Sequence, residues 1–151
     1  AYEQAKLLRH RYPNVSLVWS ANDQMAFGAM QAYTEAGQLP GKDVLFSAVN
    51  TSPQALQALL DGRLSVLLGG HFSLGGWALV ELHDYEQGVP VAQYGGRDRQ
   101  IPLLQLIDRE QARRMLALRD SQDYGVNFRS LSAKGRPLTY RYPFNLQTLM
   151  H

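Results

Sequence analysis

The 151-residue sequence contains no cysteine, which excludes disulfides and thiolate metal sites. A chain without cysteine suits an oxidising compartment such as the periplasm. The sequence also lacks an apolar run of the roughly 18 residues that a membrane span requires. It begins without methionine, and residues 1–4 lack the charged-then-apolar pattern of a signal sequence. We therefore expect a mature product or an excised piece of a longer protein.

The sequence also has no large excess of either charge, because it contains 15 basic and 13 acidic side chains. Basic residues are concentrated only locally, in residues 97–119, which hold six arginines and three acidic residues. This segment has no interleaved aromatic residues that could stack on bases, and half of it fits one solvated helix face. We therefore expect no nucleic-acid partner.

Motifs that would carry catalysis are absent from the sequence. It has no Gly-x-Ser-x-Gly elbow, no phosphate loop, no Gly-x-Gly-x-x-Gly fingerprint and no histidine pair at metal-ligand spacing. The segment Gly69-Gly70-His71 is too loose to count as a phosphate cradle. The sequence predicts a protein that is not an enzyme and that holds neither a cofactor nor a metal.

Three stretches repeat one pattern, in which a short apolar run ends at a polar residue and a helix follows. They are Val15–Ser20 with Asn22, Val44–Val49 with Asn50, and Leu64–Leu68 with His71. Apolar runs without alternation are typical of strands in a parallel sheet. We expect an α/β fold in which right-handed crossovers build a parallel sheet with helices on both faces. In such sheets small molecules bind beyond the carboxyl ends of the strands.

Capping residues predict where the helices begin. Asn22 or Asp23 can cap the second helix, and Ser52 precedes Pro53 at the first helical position of the third. We assign Asp23 and Gln24 to the electrostatics of the helix start rather than to a ligand.

The character of the chain changes after Gly88. Residues 101–107 form a further predicted strand, and Asp108 begins a helix with Gln111 at capping-box spacing. The last residues show no periodicity, yet they are too apolar for a free end, so we expect irregular coil that packs on other parts of the protein. The apolar residues near this end of the sequence are Tyr140, Tyr142, Phe144, Leu146 and Leu149.

Three segments of the sequence carry a resemblance to a known family. They are Ala21–Ala29, Ala36–Asp43 and Asp61–Leu64. In order and spacing they resemble the C-terminal lobe of type I periplasmic solute-binding proteins, above all the sugar-binding and autoinducer-receptor branches. The resemblance implies a C-terminal ligand-binding lobe in residues 1–90. It implies that residues 91–151 are a hinge return segment and a tail, which pack on an N-terminal lobe absent from this chain.

An incomplete sheet also follows from the resemblance. In the resembled lobe, the strand that pairs with Val15–Ser20 comes from sequence upstream of the first helix. We therefore expect an unpaired sheet edge, which exposes backbone N–H and C=O groups to another chain.

The resemblance implies a set of ligand-binding residues at the cleft. Asn22, Asn50 and His71 occupy the strand ends, and a side-chain amide can both donate to and accept from the hydroxyls of a sugar. Asn22 has a helix cap as its alternative role. Asn50 stands where the sugar binders usually carry aspartate, and His71 stands where they often carry glutamine. Trp19 and Phe72 could stack on a sugar ring or belong to the core.

The function implied is periplasmic binding of a small polar, sugar-like or signalling ligand. Its partner would be an ABC transporter or a membrane sensor kinase. The effector domain of lactose-repressor-type transcription regulators shares the resembled fold and is the alternative. The turn Pro40–Asp43 is similar to that of the periplasmic members, whereas the regulators usually have a Pro-Glu-Asp turn here.

Overall fold

The computed structural model describes residues 1–70, 73–96, 98–120 and 127–145. Its helices are α1 (Tyr2–Arg11), α2 (Asp23–Thr34), α3 (Pro53–Leu60), α4 (Leu74–Glu86) and α5 (Arg109–Asp120). Its strands are β1 (Leu17–Ser20), β2 (Leu45–Val49), β3 (Val66–Gly69) and β4 (Gln105–Leu106). None of the described helices combines the length and apolar character that a membrane span needs.

The chain divides into two compact units. The first holds Ala1–Gly69 and Leu106–Asp120, and the second holds the described residues of 70–105 and of 127–145. The sequence predicted a different division, into a ligand-binding lobe of residues 1–90 and a segment of residues 91–151 that packs on another lobe. That division stays a prediction.

A four-stranded sheet in the order β1-β2-β3-β4 organises the first unit. β1 pairs with β2 and β2 with β3, both in parallel, with Val18 opposite Phe46 and Ala48 opposite Leu67. α2 contacts β1 and β2, and α3 contacts β3. The predicted α/β fold with a parallel sheet and helices is confirmed, and the placement of helices on both faces stays a prediction.

The strand predicted over residues 101–107 is much shorter than expected. Only Gln105–Leu106 is strand. Pro102 has no N–H to donate, and the Leu103 N–H donates to the Ile101 carbonyl at 2.9 Å in a tight local turn. A local hydrogen bond thus replaces the expected pairing over the first part of this segment.

The predicted helix caps are present. The Asn22 side chain accepts a hydrogen bond from the Met25 N–H, and Ser52 Oγ accepts one from the Ala55 N–H at 3.2 Å. The capping box at α5 is complete in both directions, because Asp108 accepts from the Gln111 N–H at 2.7 Å while Gln111 Oε1 accepts from the Asp108 N–H at 2.9 Å.

The core of the first unit lies between the sheet and the helices on one face. Phe46 is 0% exposed and meets the Tyr33 ring edge-on, with 5.6 Å between the ring centroids. Val44, Ala48 and Leu67 are also fully buried. These side chains alternate with those of the opposite face along the strands, as the pleat requires.

The opposite face of the sheet is partly open at β1 and β2. Leu17 is 56% exposed and Leu45, its partner in the register, is 43% exposed. Trp19 on the same face is 66% exposed, so the expectation that it belongs to the core is wrong for the structure described. In the sheet order β1 is an outer strand and pairs only with β2 among the described strands.

In the second unit the described part of the tail packs on α4 as irregular coil apart from one short 3-10 helix, Phe128–Leu131. Trp77 of α4 is buried and meets Phe128 and Phe144 edge-on, with ring centroids 6.0 and 5.3 Å apart. Tyr140 and Tyr142 belong to the same apolar cluster. Leu146 and Leu149, which the sequence also assigned to packing, lie outside the described residues.

A buried carboxylate of α4 holds this tail. Asp84 is 0% exposed and accepts hydrogen bonds from the Ser132 hydroxyl, from the Ala133 N–H at 2.6 Å and from the Tyr142 hydroxyl at 2.8 Å. Burial alone would raise the pKa of Asp84, but these three donors outweigh it and hold the pKa below its usual value. Burial and the bond to Asp84 in turn raise the pKa of Tyr142.

We expect Asp84→Asn to lower the free energy of unfolding by about 2 kcal/mol at neutral pH, because an amide oxygen cannot satisfy three donors and its NH₂ faces them. The carboxylate stabilises the fold above the unfolded-state pKa of about 4, and this contribution is lost as the pH falls through the lower folded-state pKa. Urea unfolding followed by circular dichroism at pH 7 and pH 3 measures both effects.

Asp61→Asn is the matched control, because Asp61 is an exposed carboxylate that pairs with Arg63 at 3.2 Å and such surface pairs contribute little. Equal destabilisation by the two substitutions at pH 7 would contradict the role given to Asp84.

Candidate functional site

The carboxyl ends of β1 and β2 carry the polar residues that the sequence singled out. β1 ends at Ser20 and Asn22 follows two residues later, whereas Asn50 directly follows Val49 at the end of β2. Asn50 Nδ2 donates a hydrogen bond to Asp23 Oδ1 at 3.3 Å. This bond joins the two strand ends into one polar site.

Asn22 caps α2 from a half-buried position. Its Oδ1 accepts from the Met25 N–H at 2.9 Å. Its Nδ2 has no hydrogen-bond partner in the part of the chain that the structure describes. The residue therefore performs the capping role while its two amide hydrogens stay available.

Asn50 has an unusual backbone conformation. Its φ of +102° is the one positive value of a non-glycine residue in the described ranges, and asparagine tolerates such angles better than most residues. Its Oδ1 accepts from the Thr51 N–H at 2.8 Å. Non-glycine residues with positive φ persist where the surroundings hold them, often at functional sites.

Asp23 lies behind both asparagines and is 1% exposed. Its Oδ1 accepts from the Gln24 N–H at 2.9 Å in addition to Asn50. Its Oδ2 is buried and has no hydrogen-bond partner among the described residues. Sequence reasoning assigned Asp23 to the helix start alone. A carboxylate next to the cap, opposite a polar residue on the neighbouring strand, was the available signal for its second contact.

The end of β3 lies against the same site. A Cβ on Gly69 would come within 2.3 Å of Thr51 Cγ2, so a larger residue here would have to displace the Thr51 side chain. His71 and Phe72, the site residues predicted beyond β3, lie outside the described residues. Their contact with a ligand stays a prediction.

A periplasmic sugar-binding protein from Pseudomonas fluorescens has 57% sequence identity to this chain and matches it with a TM-score of 0.92. The match covers 99% of this chain and 46% of that one. The chain has the fold of a type I periplasmic binding protein. The resemblance noted in the sequence is confirmed by this structural match.

Two further relatives agree with this fold. The periplasmic binding component of the arabinose ABC transporter from Shewanella sp. ANA-3 shares 30% identity over 80% of this chain and 39% of that one, with a TM-score of 0.60. The galactofuranose-binding protein YtfQ of Escherichia coli is 34% identical over 74 residues, which are 49% of this chain and 23% of that protein. No protein-family model matches the sequence. The chain thus spans less than half the length of these binding proteins.

Trp19, the further site residue predicted at β1, lies on the wall of a separate groove. It lines this groove of about 300 Å³ together with Leu8 of α1 and Ala21 and Met25, and neither asparagine contributes to that wall. In this periplasmic binding protein fold the groove follows the outer edge of β1. Contact of Trp19 with a ligand stays a prediction.

A larger pocket of about 730 Å³ lies at the amino ends of the strands. Its wall includes Met30 of α2, Leu39 and Pro40 from the turn before β2, and Gly62 after α3. The sequence did not predict this pocket, because α2 and turns far apart in the chain form its wall. No group of three or more metal-ligating side chains occurs here or elsewhere in the described residues.

We expect Asn22→Ala to lower the free energy of unfolding by about 1 kcal/mol, because α2 loses its cap. Asn22→Ser should restore most of this loss, since a serine hydroxyl can accept from the same N–H. Urea unfolding of the three proteins measures the difference. If serine were as destabilising as alanine, the capping role would be wrong.

Proposed function

We propose that this chain forms one ligand-binding lobe of a periplasmic protein that binds a small, uncharged, sugar-like ligand and delivers it to an ABC transporter. The observation that carries the proposal is the joined polar site of Asn22, Asp23 and Asn50 at the carboxyl ends of two parallel strands. Such ends are where open α/β sheets bind small molecules.

The relatives support a sugar as the ligand class. The Pseudomonas protein is described as sugar-binding, YtfQ as galactofuranose-binding, and the Shewanella protein was solved with α- and β-L-arabinofuranose. Side-chain amides suit such ligands, because they form several directed hydrogen bonds to neighbouring oxygens. The name of the Shewanella relative also supports an ABC transporter, rather than a sensor kinase, as the partner.

The rest of the cleft belongs to residues outside these 151. The chain covers 46% of the Pseudomonas relative, and the exposed Leu17 and Trp19 at the outer strand leave apolar surface for that remainder to cover. Binding, rather than catalysis, is the activity proposed, in keeping with the names of the relatives.

The proposal is tested with the two-lobed protein that contains this chain. Isothermal titration calorimetry with D-galactose, L-arabinose and D-ribose should show saturable one-to-one binding of at least one sugar. Native mass spectrometry of the freshly purified protein should show a co-purified ligand mass in the range of a monosaccharide. Absence of both signals would overturn the proposed function.

In that protein we expect Asn22→Ser to weaken binding of the sugar by about 1–3 kcal/mol, because a buried ligand oxygen loses its donor while the helix cap is retained. Asn14→Ser is the control, since Asn14 is exposed and precedes β1 at its far end. Unchanged affinity of Asn22→Ser in calorimetry would remove Asn22 from the binding site.

The 151-residue chain alone should bind the same sugar at least about 100-fold more weakly, because half of the cleft is absent, and it should self-associate through its open sheet edge. Sedimentation velocity and calorimetry measure the two properties. A monodisperse monomer with the affinity of the two-lobed protein would show that the lobe is self-sufficient.

A further inference from the structure

The two asparagines of the site have amide orientations that the backbone determines. A backbone N–H can only donate, so the atom that faces the Met25 N–H is the oxygen of Asn22, and the atom that faces the Thr51 N–H is the oxygen of Asn50. Reversing either amide would place an NH₂ group against an N–H. The usual ambiguity between amide oxygen and nitrogen is therefore absent here.

An inventory of the remaining groups shows what this edge offers to a ligand. Each amide oxygen already accepts one bond from the backbone. Asn50 also uses one N–H on Asp23, which leaves it one, whereas both N–H groups of Asn22 are without a partner in the described structure. The uncommitted N–H groups of the two asparagines thus provide three hydrogen-bond donors, one from Asn50 and two from Asn22, beside oxygens that each accept one bond already.

Asp23 adds no acceptor that a ligand can reach. Its Oδ1 accepts from Gln24 and Asn50, and its Oδ2 is buried. The carboxylate nevertheless lies one amide group behind the surface, where its charge repels an anion that approaches Asn50. An uncharged acceptor experiences no such repulsion.

We propose that Asp23 is a positioning residue that holds the Asn50 amide with its free N–H toward the ligand, and that the ligand group meeting Asn50 is an uncharged acceptor oxygen. The ligand half of this inference rests on the proposed function. An aspartate at position 50 would offer only acceptors, so Asn50 determines specificity by the direction of its hydrogen bond.

The positioning half is tested on the 151-residue chain by NMR of the side-chain amides. One Asn50 amide proton should exchange slowly with water because it is bonded to Asp23, while its partner and both protons of Asn22 exchange faster. Asp23→Ala should remove this difference, and Asp23→Asn should restore part of it, because its amide oxygen can still accept. Circular dichroism reports whether each variant is folded.

Two results would overturn the positioning half. One is equal exchange of the two Asn50 protons in the unmodified chain, a measurement that does not depend on the folding of any variant. The other is a folded Asp23→Ala variant that keeps the difference between them.

The ligand half is tested in the two-lobed protein with the sugar that binds among D-galactose, L-arabinose and D-ribose. Asn50→Gly removes the side chain without strain at the positive φ and should weaken binding about 10-fold, the effect of one lost hydrogen bond. Asn50→Asp should weaken it at least about 10-fold further, because a carboxylate then faces both the ligand acceptor and the Asp23 carboxylate.

The order of these two variants decides the direction of the hydrogen bond. If Asn50→Asp bound as well as Asn50→Gly or better, the ligand would be the donor and the inference would be wrong. The aldonic acid of the same sugar should bind more weakly than the sugar itself, and tighter binding of the acid would overturn the uncharged acceptor. If the unmodified protein bound no sugar, the proposed function and the ligand half would fail together, while the NMR result would still decide the role of Asp23.

Discussion

Parallel pairing of β1 with β2 and of β2 with β3 is the constraint on which the rest of the first unit depends. Because the strands run in the same direction, each one ends at the same edge, and the residues that follow them meet there. The hydrogen bond between Asn50 and Asp23 exists only because of this register. Residues 27 positions apart in the chain thus form one site.

Backbone N–H groups in the turns from strand to helix need acceptors, and this need explains the chemistry of the site. The first N–H groups of a helix need acceptors, and at α2 and in the segment before α3 the asparagine side chains provide them. Each oxygen accepts one bond in this role, while the two N–H groups of Asn22 and one N–H of Asn50 keep no partner among the described residues. The structural demand of the strand-to-helix turns and the polarity offered to a ligand therefore have one physical origin.

The second unit uses a buried charge in a different way. Asp84 accepts hydrogen bonds from three groups of the tail that follow its short 3-10 helix Phe128–Leu131, and so specifies where this segment packs on α4. The Arg99 guanidinium, paired with Glu81, lies over the Phe144 ring at 5.2 Å and adds a second polar anchor within an aromatic cluster. The backbone bonds within the tail are local, so side-chain contacts such as these fix its position on α4.

Local signals in the sequence determined most of the first unit. Apolar runs predicted three strands within two residues of their observed bounds, and the caps Asn22, Ser52 and Asp108 marked three helix starts, because strand burial and capping depend on neighbours close in the chain. Only the tertiary structure decided that Asp23 binds Asn50, that Trp19 is exposed and that residues 101–104 are not strand. These outcomes depend on groups brought together by the sheet, or on local hydrogen bonds that compete with it, and the pattern of one segment does not contain them.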